Sequence, residues 1–217
     1  ALPIFASRAN YGRCKSLLKE IDSHKDLELE LLVCGSAILD KYGNTSEIIK
    51  NDGFKIKYES NFLLSGSDLR SQATTTGLAI IQLTEIFAQS QPHFVVTIAD
   101  RYETIANAIA SSFSNITLVH IQGGEVTGNI DEKVRHSITK LSDYHFVSNT
   151  DAYNRVIKLG ENKNKIYNVG CPSIDIAKEV LKDKKNLNLN FLKNYSQGVG
   201  FEINLEKEYF VVLMHPE

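Results

Sequence analysis

Short apolar runs alternate with longer stretches of helical spacing along most of the chain. Residues 2–6 form the first run. Residues 11–21 follow with apolar side chains at Cys14, Leu17, Leu18 and Ile21, the spacing of one helix face. The run 27–34 predicts a second strand, ending at Gly35. A short helix is expected around Ile48 and Ile49. The turn signal Asn51-Asp52-Gly53 leads into a strand over 54–58. The longest helix is predicted over 68–89, with Leu78, Ile81, Leu83, Ile86 and Phe87 inside it and Pro92 stopping it. Strands are expected over 93–98, 116–121, 144–147 and 166–169. Helices are expected over 104–113, 132–141, 151–159 and 174–181.

Repeated strand–helix alternation argues for an α/β fold, a Rossmann-like doubly wound parallel sheet. The run 93–98 is apolar enough for burial on both faces. Residues 182–208 change character, opening on Lys182-Asp183-Lys184-Lys185 and turning Asn-rich, and are expected to be an exposed connection. A last buried strand is predicted over 209–214, just before His215-Pro216-Glu217. The expected organisation is a domain over 1–181, a connection over 182–208, and the first strand of a second domain over 209–217. A chain end directly after a core strand suggests that this second unit is cut short.

Composition narrows the classes. The chain has 217 residues, 42% hydrophobic and 23% charged, which excludes a largely disordered or collagen-like protein. The apolar runs all fall short of the roughly 18 residues of a membrane span. With 24 basic and 26 acidic residues the charge nearly balances, so neither a nucleic-acid nor a membrane partner is expected. Cys14, Cys34 and Cys171 are widely spaced and form no metal-binding pattern, consistent with reduced thiols and a cytoplasmic location.

In an open parallel sheet, ligands bind beyond the carboxyl ends of the strands. Those ends carry Ser7, Arg8, Asn10 and Tyr11; Gly35 and Ser36; Asp100 and Arg101; Gln122, Gly123, Gly124 and Glu125, with Asp131 shortly after; and His215. Arginines, acids and a histidine converging on one edge suit a phosphorylated ligand and proton transfer. Plainer readings stand beside this one. Asp100 and Asp131 are each placed to cap a following helix. Gly123-Gly124 suits an ordinary strand-ending turn. The chain has no GxxxxGK[ST], no GxGxxG after the first strand and no GxSxG, which argues against P-loop, dinucleotide-dehydrogenase and α/β-hydrolase chemistry.

Several segments carry a resemblance: Ser7-Arg8-Ala9-Asn10-Tyr11-Gly12, Tyr42-Gly43-Asn44-Thr45, Ala99-Asp100-Arg101-Tyr102-Glu103, His120-Ile121-Gln122-Gly123-Gly124-Glu125, Ile130-Asp131-Glu132, Arg135-His136-Ser137-Ile138-Thr139-Lys140-Leu141 and the closing His215-Pro216-Glu217. In this order they resemble the hydrolysing UDP-N-acetylglucosamine 2-epimerases over essentially the whole chain. The resemblance implies a two-domain fold of the glycosyltransferase-B type, of which this chain is the N-terminal half, with low activity expected of that half alone. It implies elimination of UDP across C1–C2 of a UDP-sugar, then addition of water with inversion at C2, without a metal or nicotinamide cofactor. It further implies a homodimer or homotetramer at full length. Asp100, Gln122 and Asp131 match the family's catalytic positions, with Glu125 as a substitute base and His215 near the diphosphate. Arg8, Asn10, Tyr11, Asn44 and Arg101 match the substrate-binding segments. The departure is Gln122, where many members have Glu, because an amide cannot act as a carboxylate base. A related sugar, such as a UDP-2,4-diacetamido-trideoxy sugar, a non-catalytic sugar-nucleotide-binding domain and a glycosyltransferase of the same fold are the competing readings.

Overall fold

The computed structural model describes residues 1–5, 7–66, 68–128, 130–182, 207, 208, 210, 212 and 214. The chain divides into two compact units, Ala1–Ala177 and Lys178–Glu217, and the sheet belongs to the first. Its strands are β1 (Leu2–Phe5), β2 (Leu31–Cys34), β3 (Ile56–Ser60), β4 (Phe94–Ile98), β5 (Thr117–Ile121), β6 (Tyr144–Val147) and β7 (Ile166–Asn168). They lie in the order β3-β2-β1-β4-β5-β6-β7, and every adjacent pair is parallel. The order reverses between β1 and β4, so the ligand crevice of such a sheet opens there. The helices are α1 (Arg8–Ser23), α2 (Thr45–Asn51), α3 (Leu69–Ser90), α4 (Tyr102–Phe113), α5 (Ile130–Leu141), α6 (Thr150–Lys158) and α7 (Pro172–Lys182).

Both faces of the central strands are buried, as the continuous apolar runs require. Leu32, Cys34, Val95 and Leu118 face one core with Ala79, Leu83 and Phe87 of α3 and Ala106, Ala108 and Ala110 of α4. Leu31, Val33, Val96, Ile98 and Ile121 face the other, with Tyr11, Cys14 and Leu18 of α1. Each fully buried leucine stabilises by about 1.5–3 kcal/mol. α1 starts where Ser7 caps it: the Ser7 hydroxyl accepts from the Asn10 amide at 3.3 Å and donates to Asn10 Oδ1 at 2.7 Å. α3 starts where the Asp68 carboxylate accepts from the Ser71 amide at 3.0 Å, and it ends at Gln91 in a left-handed conformation before Pro92.

The structure differs from the sequence expectation in detail. The second strand begins at Leu31, not at residue 27, because only from there does it have β1 and β3 to pair with. The buried stripe of α3 is Thr75, Ala79, Leu83 and Phe87, one residue per turn. Leu78 and Ile81 are turned away from it and exposed. Of the run predicted over 209–214, the described residues Phe210, Val212 and Met214 are exposed. Tyr209, Val211, Leu213 and His215, and nearly all of the connection expected over 182–208, lie outside the described residues.

Candidate functional site

The last residues of β4 and β5 are followed by two abrupt turns. Ala99 and Gln122 have φ of 63° and 62°, a left-handed conformation that side chains other than glycine rarely adopt. Each first extends the sheet ladder by one bond: the Ala99 amide donates to the Ile121 carbonyl at 3.0 Å, and the Gln122 amide to the Phe146 carbonyl at 2.9 Å. His120 holds the first turn from beneath. Its Nε2 donates to the Ala99 carbonyl at 3.0 Å, and its Nδ1 lies 3.2 Å from the Thr139 hydroxyl. Complete burial lowers the His120 pKa to about 3, so the ring is neutral. Strained backbone kept in place by a buried hydrogen-bonding side chain is characteristic of sites where function outweighs local stability.

The two glycines after Gln122 are there for packing. A Cβ on Gly123 would stand 2.9 Å from His120 Nδ1 and 3.0 Å from Thr139 Oγ1. Gly124 has a φ of +80°, and a Cβ there would meet the Ala152 carbonyl oxygen at 2.5 Å. The turn therefore presses against the histidine below and against α6 beside it. The Arg155 guanidinium donates to the Gly124 carbonyl and secures this loop.

Above these turns, charged groups collect around Asp100. Its carboxylate pairs with the Arg135 guanidinium, whose side chain is almost wholly buried. Burial pushes the Asp100 carboxyl above the usual range, Arg135 and Arg13 pull it down, and Asp131 and Glu125 push it up again. Asp100, Asp131, Glu125, Arg13 and Arg135 therefore share one electrostatic neighbourhood. Asp131 and Arg135 are one turn apart on α5 and so lie on one face, which continues into buried Ile138 and Thr139. Neither acid is a helix cap: Arg101 holds the cap position of α4, and Asp131 lies inside the first turn of α5. Two nitrogens of Arg135, Nε and Nη1, are buried without a hydrogen-bond partner among the described residues, an arrangement that costs stability unless a ligand supplies one.

Gln122 is buried and held at both ends. Its Oε1 accepts from Arg13 Nη1 at 3.1 Å, and its Nε2 donates to the Cys171 sulfur at 3.3 Å. The Arg13 side chain thus reaches from α1, which follows β1, to the tip of β5, across the reversal point of the sheet. Neither Arg13 nor Cys171 stands out in the sequence. The signal for Arg13 is its place on the second turn of a helix that starts at the crevice. The signal for Arg135 is its i,i+4 spacing from Asp131.

Asn10, Tyr11, Asn44 and Arg101 bind partners outside this cluster. Arg8 is the first residue of α1. Asn10 is buried and bound to Ser7. Tyr11 is buried, and its hydroxyl donates to Asp52 Oδ2 at 2.6 Å, beside a Lys15–Asp52 pair at 2.6 Å. Burial works against the Asp52 charge, yet the bonds from Lys15 and Tyr11 keep its carboxyl below the usual range. Asn44 precedes α2 at a φ of 35°; its Nδ2 donates to Asp40 Oδ1 at 2.9 Å, and its Oδ1 is buried without a partner. Arg101 turns away from Asp100 to Glu103, with Nε 3.1 Å from Oε2. Among the described residues no group of three or more His, Cys, Asp or Glu is arranged to hold a metal ion, and no helix is long and apolar enough to cross a membrane.

Residues 19–217 match the protein family described as UDP-N-acetylglucosamine 2-epimerase. The UDP-N,N'-diacetylbacillosamine 2-epimerase (hydrolyzing) of Legionella pneumophila is 35% identical over 98% of this chain and 54% of its own length. The GDP/UDP-N,N'-diacetylbacillosamine 2-epimerase (hydrolyzing) of Campylobacter jejuni is 33% identical over 98% of this chain and 53% of its own. The fold matches the crystal structure of UDP-GlcNAc 2-epimerase from Neisseria meningitidis bound to UDP-GlcNAc with a TM-score of 0.73 at 20% identity, over 88% of this chain and 52% of that one. It matches the Methanocaldococcus jannaschii UDP-GlcNAc 2-epimerase in complex with UDP-GlcNAc and UDP at 0.77 and 20% identity, over 89% and 52%. The chain spans about half the length of the curated relatives it matches. By the match over residues 19–217, the chain belongs to the UDP-N-acetylglucosamine 2-epimerase family.

Proposed function

We propose that this chain carries the sugar-reacting half of a hydrolysing 2-epimerase whose substrate is a UDP-2-acetamido sugar. The observation that carries the reading is the Asp100–Arg135 ion pair beyond β4, with Asp131, Glu125 and Arg13 near enough to act on the Asp100 carboxyl. In the first step a carboxylate takes the proton from C2. The C2–H electrons form the C1–C2 double bond, and the C1–O bond breaks with its electrons leaving on UDP. In the second step water adds its hydroxyl to C1 and gives up its proton to a carboxylate, while a carboxylic acid delivers a proton to the opposite face of C2. Free mannosamine-type sugar is released.

Asp100 and Asp131 are the acid/base pair. A carboxyl with a raised pKa is suited to holding the proton it must later deliver. Glu125 contributes a further carboxylate to the same field. Gln122 is an amide and transfers no proton; it positions Arg13, whose charge meets the departing diphosphate. By the family resemblance Arg8 and His215 are each assigned to the diphosphate, and Asn10, Tyr11 and Asn44 to the substrate-binding segments. The buried, unpartnered nitrogens of Arg135 gain partners from a bound sugar or phosphate oxygen.

The test is UDP release by the full-length protein, with NMR of the product formed in deuterated water. Free mannosamine-type sugar deuterated at C2 is expected. Asp100→Asn and Asp131→Asn should each lower turnover by about 10²–10⁴-fold with the circular dichroism unchanged. Unaltered turnover in both variants would remove the assignment. Tight UDP-sugar binding without any product supports a binding domain instead, the reading that Gln122 favours.

A further inference from the structure

The turn after β7 sends a side chain back toward the middle of the sheet. The Val169 amide donates to the Val147 carbonyl at 3.1 Å, which carries the ladder one residue past β7. Gly170 then takes a φ of 85°, a conformation open to glycine, and Pro172 opens α7, which keeps the residue before it extended. The Ile174 amide closes the turn on the Cys171 carbonyl at 2.9 Å. Cys171 is therefore fixed by backbone on both sides. Its sulfur lies 3.3 Å from Gln122 Nε2, two strands away beyond the end of β5. Cys14 and Cys34 are buried in the two cores, whereas Cys171 is half-buried at the carboxyl edge.

This contact decides how the Gln122 amide is turned. Arginine only donates, so the end of Gln122 that meets Arg13 Nη1 at 3.1 Å is its oxygen. The amide nitrogen then faces the far side, where it needs an acceptor. Gln122 is only 4% exposed, so leaving that nitrogen unpaired is costly. The Cys171 sulfur is the acceptor. Arg13, Gln122 and Cys171 thus form a line from α1, past the tip of β5, to the turn after β7. Without the sulfur, the side chain of Gln122 gains by swinging toward water, and Arg13 loses this anchor. A carboxylate at 122 would accept at both oxygens and have no nitrogen to satisfy. The acceptor at 171 therefore belongs with an amide at 122.

We propose that Cys171 is a positioning residue: its sulfur holds the Gln122 amide in one orientation and, through it, keeps the Arg13 guanidinium at the tip of β5 for an anionic ligand. The identity of that anion, the diphosphate of UDP, rests on the epimerase reading; the orientation of Gln122 does not.

The experiment uses the full-length protein and its variants Cys171→Ala, Cys171→Ser, Gln122→Met and Cys171→Ala with Gln122→Met. Cys171 is half-buried on a turn, so Cys171→Ala spares the fold, and a serine hydroxyl still accepts a hydrogen bond. The first readout is the side-chain amide resonance of Gln122, identified by its loss in Gln122→Met. Its hydrogen exchange should be slow in the unaltered protein and in Cys171→Ser, and fast in Cys171→Ala. The second readout is calorimetry with UDP. Cys171→Ala should weaken UDP binding about 3–10-fold, the scale of one hydrogen bond. Cys171→Ser should bind UDP more tightly than Cys171→Ala, and Cys171→Ala should change nothing further in the Gln122→Met background. A merely structural role would weaken UDP equally in both backgrounds. That result, exchange unchanged in Cys171→Ala, a serine no better than alanine, or UDP affinity that does not move would overturn the positioning role. Turnover of UDP-N-acetylglucosamine and of a UDP-2,4-diacetamido sugar, followed on the same samples, keeps the two readings apart. Coupling in exchange and UDP affinity without product from either sugar supports the role of Cys171 while refuting the epimerase reaction.

Discussion

Asp100 and Arg101 are consecutive, opposite in charge, and each paired with an oppositely charged residue, yet their settings differ. Asp100 pairs with a buried arginine but stays within reach of two further acids, and its carboxyl ends above its ordinary range. Arg101 is about half-exposed at its side chain and pairs with a wholly buried glutamate. The first pair leaves an unbalanced neighbourhood, able to take up or give a proton. The second is balanced, with both of its charges answered within the pair. A salt bridge alone says little about function; the charges just beyond it decide whether the pair is chemically active.

The largest expected effect comes from breaking the unbalanced side. Arg135→Met leaves the Asp100 carboxylate mostly buried without its cation and should cost about 3–5 kcal/mol in denaturant unfolding. That cost should shrink at lower pH as Asp100 takes up a proton, and a pH-independent loss would contradict the assigned pair. Next is Gly124→Ala, which combines a φ of +80° with a contact at 2.5 Å to the Ala152 carbonyl. A loss on the order of 3 kcal/mol is expected, together with a displaced Gln122–Glu125 turn, visible as amide shift changes confined to the Asp100 side.

The third effect tests the support beneath both sides. His120 is held neutral, with its pKa at about 3 against 6.5 when unfolded. Between these values the unfolded chain binds more protons, so this contribution is complete above pH 6.5. It declines as pH falls, by up to about 1.4 kcal/mol per pH unit. Unfolding midpoints measured from pH 7 to 4 should show this slope, and His120→Gln should flatten it. The smallest effect belongs to the balanced side. Glu103→Gln keeps hydrogen-bond acceptance and frees an arginine that can turn to solvent, so about 1 kcal/mol is expected. A loss as large as that of Arg135→Met would erase the distinction between the two pairs.

Much of the architecture can be read from one dimension. Continuous apolar runs bounded by helical spacing are how a strand buried on both faces appears in sequence, and they located all seven strands to within a few residues. The acids at 100 and 131 are placed by the same topology, since both follow strands at one sheet edge. Other features have no such signature. Arg13 reaches Gln122 across 109 positions, and Tyr11, next to the expected site segment, turns its hydroxyl to Asp52. Gly123 is required by a histidine three residues earlier and a threonine on the following helix.

Periodicity and strand-end chemistry, which depend on neighbours along the chain, were enough to give a doubly wound sheet and an acidic carboxyl edge. Which arginine answers which carboxylate, which side chain faces the crevice, and why Asp100 and Arg101 part company depend on distances between segments far apart in sequence. Coulomb and hydrogen-bond energies change over ångströms, so only the folded arrangement decides them.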